Sequence, residues 1–145
     1  MSKSDQFDET SRIVVDSAYK IHSALGPGLL ESAYESLLFR SLRRQGLKVE
    51  RQKSVSFVFE GTSVSDGLRI DLLVANTLVV EIKSLETLLP VHTKQVLTYL
   101  RALGLRVGLL INFGGGTLKD GLRRVVNGYS PESTLATENS TSRLT

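Results

Sequence analysis

Three charged side chains, Asp71, Glu81 and Lys83, interrupt the two most strand-like apolar stretches of this chain, Leu68-Arg69-Ile70-Asp71-Leu72-Leu73-Val74 and Leu78-Val79-Val80-Glu81-Ile82-Lys83. Side chains alternate across a strand, so Leu68, Ile70, Leu72 and Val74 share one face and Arg69, Asp71 and Leu73 the other. In the second run Leu78, Val80 and Ile82 oppose Val79, Glu81 and Lys83. Ala75-Asn76-Thr77 reads as a three-residue hairpin loop. That register sets Val74 against Leu78, and therefore Asp71 against Glu81. Directly opposed side chains lie about 4.5–5.5 Å apart, and like charges there are destabilising. Two carboxylates so close want a cation between them, which implies a divalent-metal site with a lysine two residues further along. The competing reading is an exposed charged face on which Arg69 and Lys83 neutralise the acids without metal.

Two other stretches place polar groups at helical spacing. Gly28-Leu29-Leu30-Glu31-Ser32-Ala33-Tyr34 puts Glu31 in the first turn after a glycine break. An acid there is favoured by the helix dipole, and Tyr34, three residues on, shares its face. In Val91 to Tyr99 the residues His92, Gln95 and Tyr99 form one stripe beside the apolar stripe of the same helix. Gln95 can both donate and accept hydrogen bonds, which suits holding a nucleotide or orienting a lysine. Partial burial with a single hydrogen bond would equally explain His92 and Tyr99. Gly114-Gly115-Gly116 lacks the Lys-Ser/Thr of a phosphate-cradling loop and reads as a strand-to-helix connection.

The elements that must position these groups follow from periodicity and breakers. Residues 1–10 read as a flexible leader. A helix from Ser11 carries Ile13, Val14, Ala18, Ile21 and Leu25 inward and stops near Gly26-Pro27-Gly28. A second helix from about Leu29 buries Leu30, Ala33, Leu37, Leu38 and Leu42 and ends at Gly46. Val49–Glu60 is a strand pair or one bent strand with a turn at Glu60-Gly61, and Asp66-Gly67 opens the hairpin. Pro90 starts a helix carrying Val91, Val96, Leu97, Leu100 and Leu103 to Gly104. Val107–Ile111, wholly apolar, is a central strand buried on both faces. A short helix over Leu118–Val126 closes the domain (residues 11–129), and residues 130–145, rich in Ser, Thr and Glu, form a disordered tail. The order α-α-β-β-β-β-α-β-α describes a mixed α/β sheet flanked by helices.

Composition narrows the setting. The chain has 145 residues, no cysteine, two histidines and a formal net charge of +3. Thiolate metal sites and disulfides are excluded, and a histidine-built zinc site would need carboxylates to complete it. No apolar run approaches the roughly 20 residues that span a bilayer, and no secretory signal is visible, so a cytoplasmic location and no membrane partner are expected. The charge is mild, but Arg40, Arg43, Arg44, Lys48, Arg51 and Lys53 form one basic group and Lys119, Arg123 and Arg124 another. Such groups suit phosphate contacts or simply a solvated surface.

Gly28-x-x-Glu31-x-x-Tyr34, together with Leu25-Gly26-Pro27-Gly28, Leu88-Leu89-Pro90-Val91-His92 and Gly108-Leu109-Leu110-Ile111-Asn112-Phe113, resembles the GxxExxY proteins of the PD-(D/E)xK nuclease-like superfamily over roughly Ser11 to Asn127. The resemblance implies a restriction-endonuclease-like core and metal-dependent hydrolysis of nucleic acid, DNA favoured over RNA. It makes Asp71 the motif aspartate and Glu81 and Lys83 the (D/E)xK pair. Glu31 is similar to the N-terminal-helix acid, and Gln95 and Tyr99 to the QxxxY element. Ile70 stands where the motif has proline, a proline that many members lack. The implied site holds Mg²⁺ or Mn²⁺ on Asp71, Glu81, Glu31 and the Ile82 carbonyl, with Asp71, Glu81, Lys83, Glu31 and Gln95 as catalytic residues. Tyr34, His92, Tyr99, Arg43, Arg44 and Arg123 are the expected nucleic-acid contacts, and a homodimer is compatible. The alternatives are a nucleic-acid-binding module that does not cut, or a protein-interaction module, on the same fold.

Overall fold

The computed structural model describes residues 3–128, with side chains from residue 9 onward. The first helix, α1 (Lys3–Leu25), begins well before Ser11, so residues 3–10 are helical rather than a leader. Arg12, paired with Glu9 at 2.6 Å and Asp16 at 3.2 Å, supports that continuation through i,i+3 and i,i+4 contacts. Val14, Ala18 and His22 form its buried stripe, while Leu25 is exposed. After the glycine break, α2 (Glu31–Arg44) buries Tyr34, Glu35, Leu38 and Leu42. Leu38 and Leu42 are buried as expected, whereas Leu30, which precedes the helix as its N-cap, and Leu37 are exposed, and Tyr34 and Glu35 complete the buried stripe.

Val49–Phe59 is one bent strand, β1, paired antiparallel with β2 (Thr62–Val74). The turn at Glu60-Gly61 has positive φ at both residues, as a tight two-residue hairpin requires. Asp66-Gly67 is not a turn: it lies inside β2, in a bulge that sets three residues opposite Ser56 alone. A Cβ on Gly67 would sit 2.3 Å from the Phe57 ring, and the Asp66 amide donates to Ser56 Oγ at 3.1 Å. The strand β3 (Leu78–Lys83) follows through Ala75-Asn76-Thr77, with positive φ at Ala75 and Asn76 and Thr77 N–H bonded to the Val74 carbonyl at 3.1 Å.

α3 (Pro90–Leu103) ends on Gly104 in the left-handed conformation and leads to β4 (Val107–Asn112), buried along its whole length and parallel to β3. Val91, expected inward, is exposed on α3. The helix expected over Leu118–Val126 is instead a single 3-10 turn (Lys119–Gly121) followed by a strand, β5 (Leu122–Val126), antiparallel to β4. β4 carries unpaired backbone groups on that side, and satisfying them outweighs the helical pattern of a short segment ending in two valines. The sheet order is therefore β1-β2-β3-β4-β5, with three strands rather than four before α3 and a fifth strand in place of the last helix.

Helices cover both faces of this mixed sheet, the α/β arrangement of a restriction-endonuclease-like fold. Val14, Ala18, Tyr34, Leu38 and Leu42 pack on Leu72, Val74, Leu78, Val80 and Ile82. On the other face Val96 and Leu100 pack on Leu73, Val79, Leu110 and Val125. Ile70 belongs to this second group and not with Leu72, so the simple alternation fails across Asp71. Opposite it Gln52 has φ of 50°, and the pleat of both strands is broken at that point. Among the described residues no helix is long and apolar enough to cross a membrane. The tail expected beyond residue 129 lies outside the described residues.

Candidate active site

The break in the pleat coincides with a fork in the sheet. β2 and β3 pair from Val74↔Leu78 through Leu72↔Val80, the register expected from sequence, and the ladder stops there. One step further, Asp71 N–H donates to Glu81 Oε2 at 2.7 Å and Ile82 N–H donates to Asp71 Oδ2 at 2.8 Å. Each carboxylate thus replaces a backbone carbonyl of the neighbouring strand, and the strands diverge around the pair. β3 stays with β4, where Phe113 N–H donates to the Lys83 carbonyl at 2.8 Å. Successive strand residues direct their backbone groups to opposite sides, so the Ile82 carbonyl points into the fork with its own N–H.

The electrostatics of this pair are unfavourable without a cation. Glu81 is 3% exposed, and burial followed by the Asp71 charge pushes its carboxyl up to about 8. Burial also raises Asp71, helped by the charges of Glu35 and Glu31, while the Ile82 amide and Gln52 oppose the rise. An exposed, ion-paired face is not what forms: Glu81 is buried, among the described residues neither Arg69 nor Lys83 makes an ion pair with these acids, and the Lys83 charge opposes the rise at Glu81 without cancelling it. Two carboxylates accepting from each other's strands, beside a carbonyl on the same side of β3, are oxygen donors of the kind a hard divalent ion takes. Among the described residues no three His, Cys, Asp or Glu side chains gather into a ready-made metal cluster. Glu31, exposed at the first residue of α2, acts on Asp71 and Glu81 through its charge.

Two neighbours were not singled out from sequence. Glu35, one helical turn beyond Glu31 and 5% exposed, pairs with Arg51 Nε at 2.8 Å and hydrogen-bonds to Gln52. Gln52 in turn donates to Asp71 Oδ1 at 3.2 Å. The i,i+4 spacing of Glu31 and Glu35 was a legible signal, whereas nothing local marked Gln52.

α3 supplies the opposite wall. Gln95 Nε2 donates to Tyr99 Oη at 3.3 Å, and burial, then the charge of Glu81, raises the Tyr99 phenol. Lys83, His92, Lys94 and Gln95 line a groove of about 510 Å³ with Val91 and Thr98. The strand end that carries Lys83 is tied down by Asn112. Its Oδ1 accepts from the Leu85 amide and its Nδ2 donates to the Leu85 carbonyl, both at 2.8 Å.

The expected nucleic-acid contacts separate. Tyr34 is fully buried, so it has no surface to offer a ligand. It stacks on Phe113 with centroids 4.4 Å apart, donates to the Gly26 carbonyl and accepts from the Leu29 amide at 3.2 Å, closing the glycine loop. Arg43 and Arg44 line a cleft of about 360 Å³ with Phe39, Arg40 and Arg51. The guanidinium carbons of Arg43 and Arg51 lie 5.6 and 5.8 Å from the Phe39 ring centroid. Arg123 is on β5, at the other edge of the sheet from β1, and donates to the Asp120 and Leu122 carbonyls.

A family model described as the PD-(D/E)XK nuclease superfamily matches residues 8–125. Nucleases of this superfamily typically use divalent metal ions and act on nucleic acid. No curated protein and no solved structure matched the chain. The match takes in α2, the whole sheet but its last residue, the forked acids and α3, so the chain belongs to the PD-(D/E)XK nuclease superfamily.

Proposed function

We propose that this protein is a nuclease that hydrolyses phosphodiester bonds with Mg²⁺ or Mn²⁺ held by Asp71, Glu81 and the Ile82 carbonyl, DNA being preferred to RNA. The observation that carries this reading is the fork: Asp71 and Glu81 end the β2–β3 ladder by bonding to each other's strands while both carboxyls resist ionisation. An ion held by Asp71, Glu81 and the Ile82 carbonyl would supply polarisation of a phosphoryl oxygen and a more acidic water. Lys83, two residues beyond Glu81 and oriented toward the α3 groove, holds the phosphate in place and offsets the charge that grows on it. Gln95 and Tyr99 form the wall against which the Glu81 carboxylate and the substrate backbone are set. Glu31 raises the local negative potential and draws cations toward the fork. The arginines around Phe39 contact the flanking backbone and make binding salt-sensitive.

Membership of the GxxExxY group, a cytoplasmic location and a homodimer belong to the same reading. Gly28 at φ 121° and the Tyr34 clasp give the first of these a structural purpose, and light scattering tests the dimer. The central experiment incubates linear, circular and single-stranded DNA and RNA with the protein and Mg²⁺ or Mn²⁺. Asp71→Ala and Lys83→Ala each abolish cleavage with the circular-dichroism spectrum unchanged. Cleavage by both variants at the wild-type rate rules the assignment out, as does calorimetry detecting no divalent-ion binding. DNA affinity without hydrolysis under any ion identifies a binding module instead.

A further inference from the structure

The groove beside Lys83 has a chemistry of its own. Its lining combines two ammonium groups, Lys83 and Lys94, an imidazole, a primary amide and a hydroxyl with the apolar Val91, and no carboxylate is among these residues. At about 510 Å³ it is the size of sites that take small ligands, and its charge selects an anion. His92 is fixed within it. The Leu89 amide donates to His92 Nδ1 at 3.0 Å, so Nδ1 must be the unprotonated nitrogen and the proton resides on Nε2. The bond to Leu89 uses Nδ1, which leaves Nε2–H as the ring's remaining donor. The other histidine, His22, is 8% exposed and has its Nε2 within 3.0 Å of the Gly115 carbonyl.

We propose that this groove is a subsite for a second backbone phosphate, next to the phosphodiester placed at the fork, with His92 Nε2–H as its directional donor and Lys94 as its counter-charge. The assignment of the neighbouring phosphate rests on the nuclease reading; the phosphate site itself does not. Lys83 lines the groove and its charge also reaches Glu81, so a strand lying along α3 would present one phosphate to the acids and the next to His92. His92 is a positioning residue in this scheme: it fixes the register of the strand relative to the metal-binding acids and takes no part in proton transfer.

The test uses the full chain without divalent metal and inorganic phosphate as the probe. Long-range proton–nitrogen spectra of its two histidines, assigned with His92→Asn, read both tautomer and ligand contact. The expected result is a protonated Nε2 on His92 that shifts on adding phosphate, while His22 stays still. His92→Asn retains an acceptor at the Nδ1 position and removes the donor at the Nε2 position, its amide being too short to reach there. It should keep the wild-type melting temperature yet lower affinity for a short DNA duplex about tenfold or more, the scale of a hydrogen bond to a charged group. His92→Gln places an amide near the Nε2 position and restores part of the affinity, at a loss of thermal stability. Lys94→Ala lowers the salt dependence of binding by about one counterion. A proton on Nδ1, or no phosphate shift at His92, overturns the subsite even if the protein cuts DNA. A phosphate shift at His92 in a protein that cuts nothing preserves the subsite and removes the nuclease reading.

Discussion

Glu81→Gln should stabilise the metal-free protein at alkaline pH, although it removes a residue from the heart of the proposed site. In the folded chain Glu81 titrates at about 8, against an ordinary value of 4.5, because it is buried beside Asp71. A carboxyl whose folded pKa is raised contributes stability below its unfolded pKa and loses it as pH rises toward the folded value. Each pH unit in that window removes about 1.4 kcal/mol. Between pH 6 and pH 8, with the group half ionised at the upper limit, the loss is therefore about 2 kcal/mol, a large share of the roughly 5–15 kcal/mol that holds a domain together. Asp71, also raised, acts in the same direction. Glutamine keeps an oxygen for the Asp71 amide and has no charge to bury. Urea unfolding in EDTA from pH 6 to 9 should show the wild-type midpoint falling and the variant's falling less steeply, by what Asp71 alone contributes. With saturating Mg²⁺ the wild-type decline should shrink or reverse, because the cation binds the ionised pair, whereas the variant should respond weakly. A wild-type midpoint independent of pH in EDTA, or the same slope in the variant, refutes the reasoning.

Two substitutions test the supports of the site. Tyr34→Phe retains the stack on Phe113 but loses the bonds to Gly26 and Leu29; it should cost about 1–2 kcal/mol in urea unfolding, and unchanged stability would show that the glycine loop does not depend on the clasp. Asn112→Ala removes both bonds to Leu85 and one from the Gly114 amide, leaving buried backbone groups unpaired; a loss of about 2–4 kcal/mol is expected, with faster amide exchange at Leu85, and native-like exchange there would exclude Asn112 as the anchor.

The family match and the fork share residues, since the matched segment 8–125 includes Asp71 and Glu81. The Asp71–Glu81 opposition depends on the hairpin register alone, whereas α2 and α3 each bring their polar groups to it from the two faces of the sheet. Both helices therefore feel the pair: on top of burial, Glu31 on α2 raises Asp71 and Glu81, and both acids raise Tyr99 on α3.

Local rules were enough for the centre of the site. A period of two and a three-residue loop set Asp71 against Glu81, because register between adjacent hairpin strands is decided by the chain segment that joins them. The same locality made α2, α3 and the buried β4 legible, each bounded by glycine or proline. Tertiary structure decided what depends on distant partners. β5 formed where a helix was expected because the open edge of β4 needed hydrogen bonds. Tyr34 went to the core because Phe113, far along the chain, offered its ring. Glu35 and Gln52 joined the acids only because β1 lies beside β2 and beneath α2, and Arg123 was carried to the opposite edge by the order of strands. The sequence by itself determined which two carboxylates must face each other. Only the folded sheet determined that the ladder would end at them, since ending it required burial strong enough to make each carboxylate take up the other strand's amide.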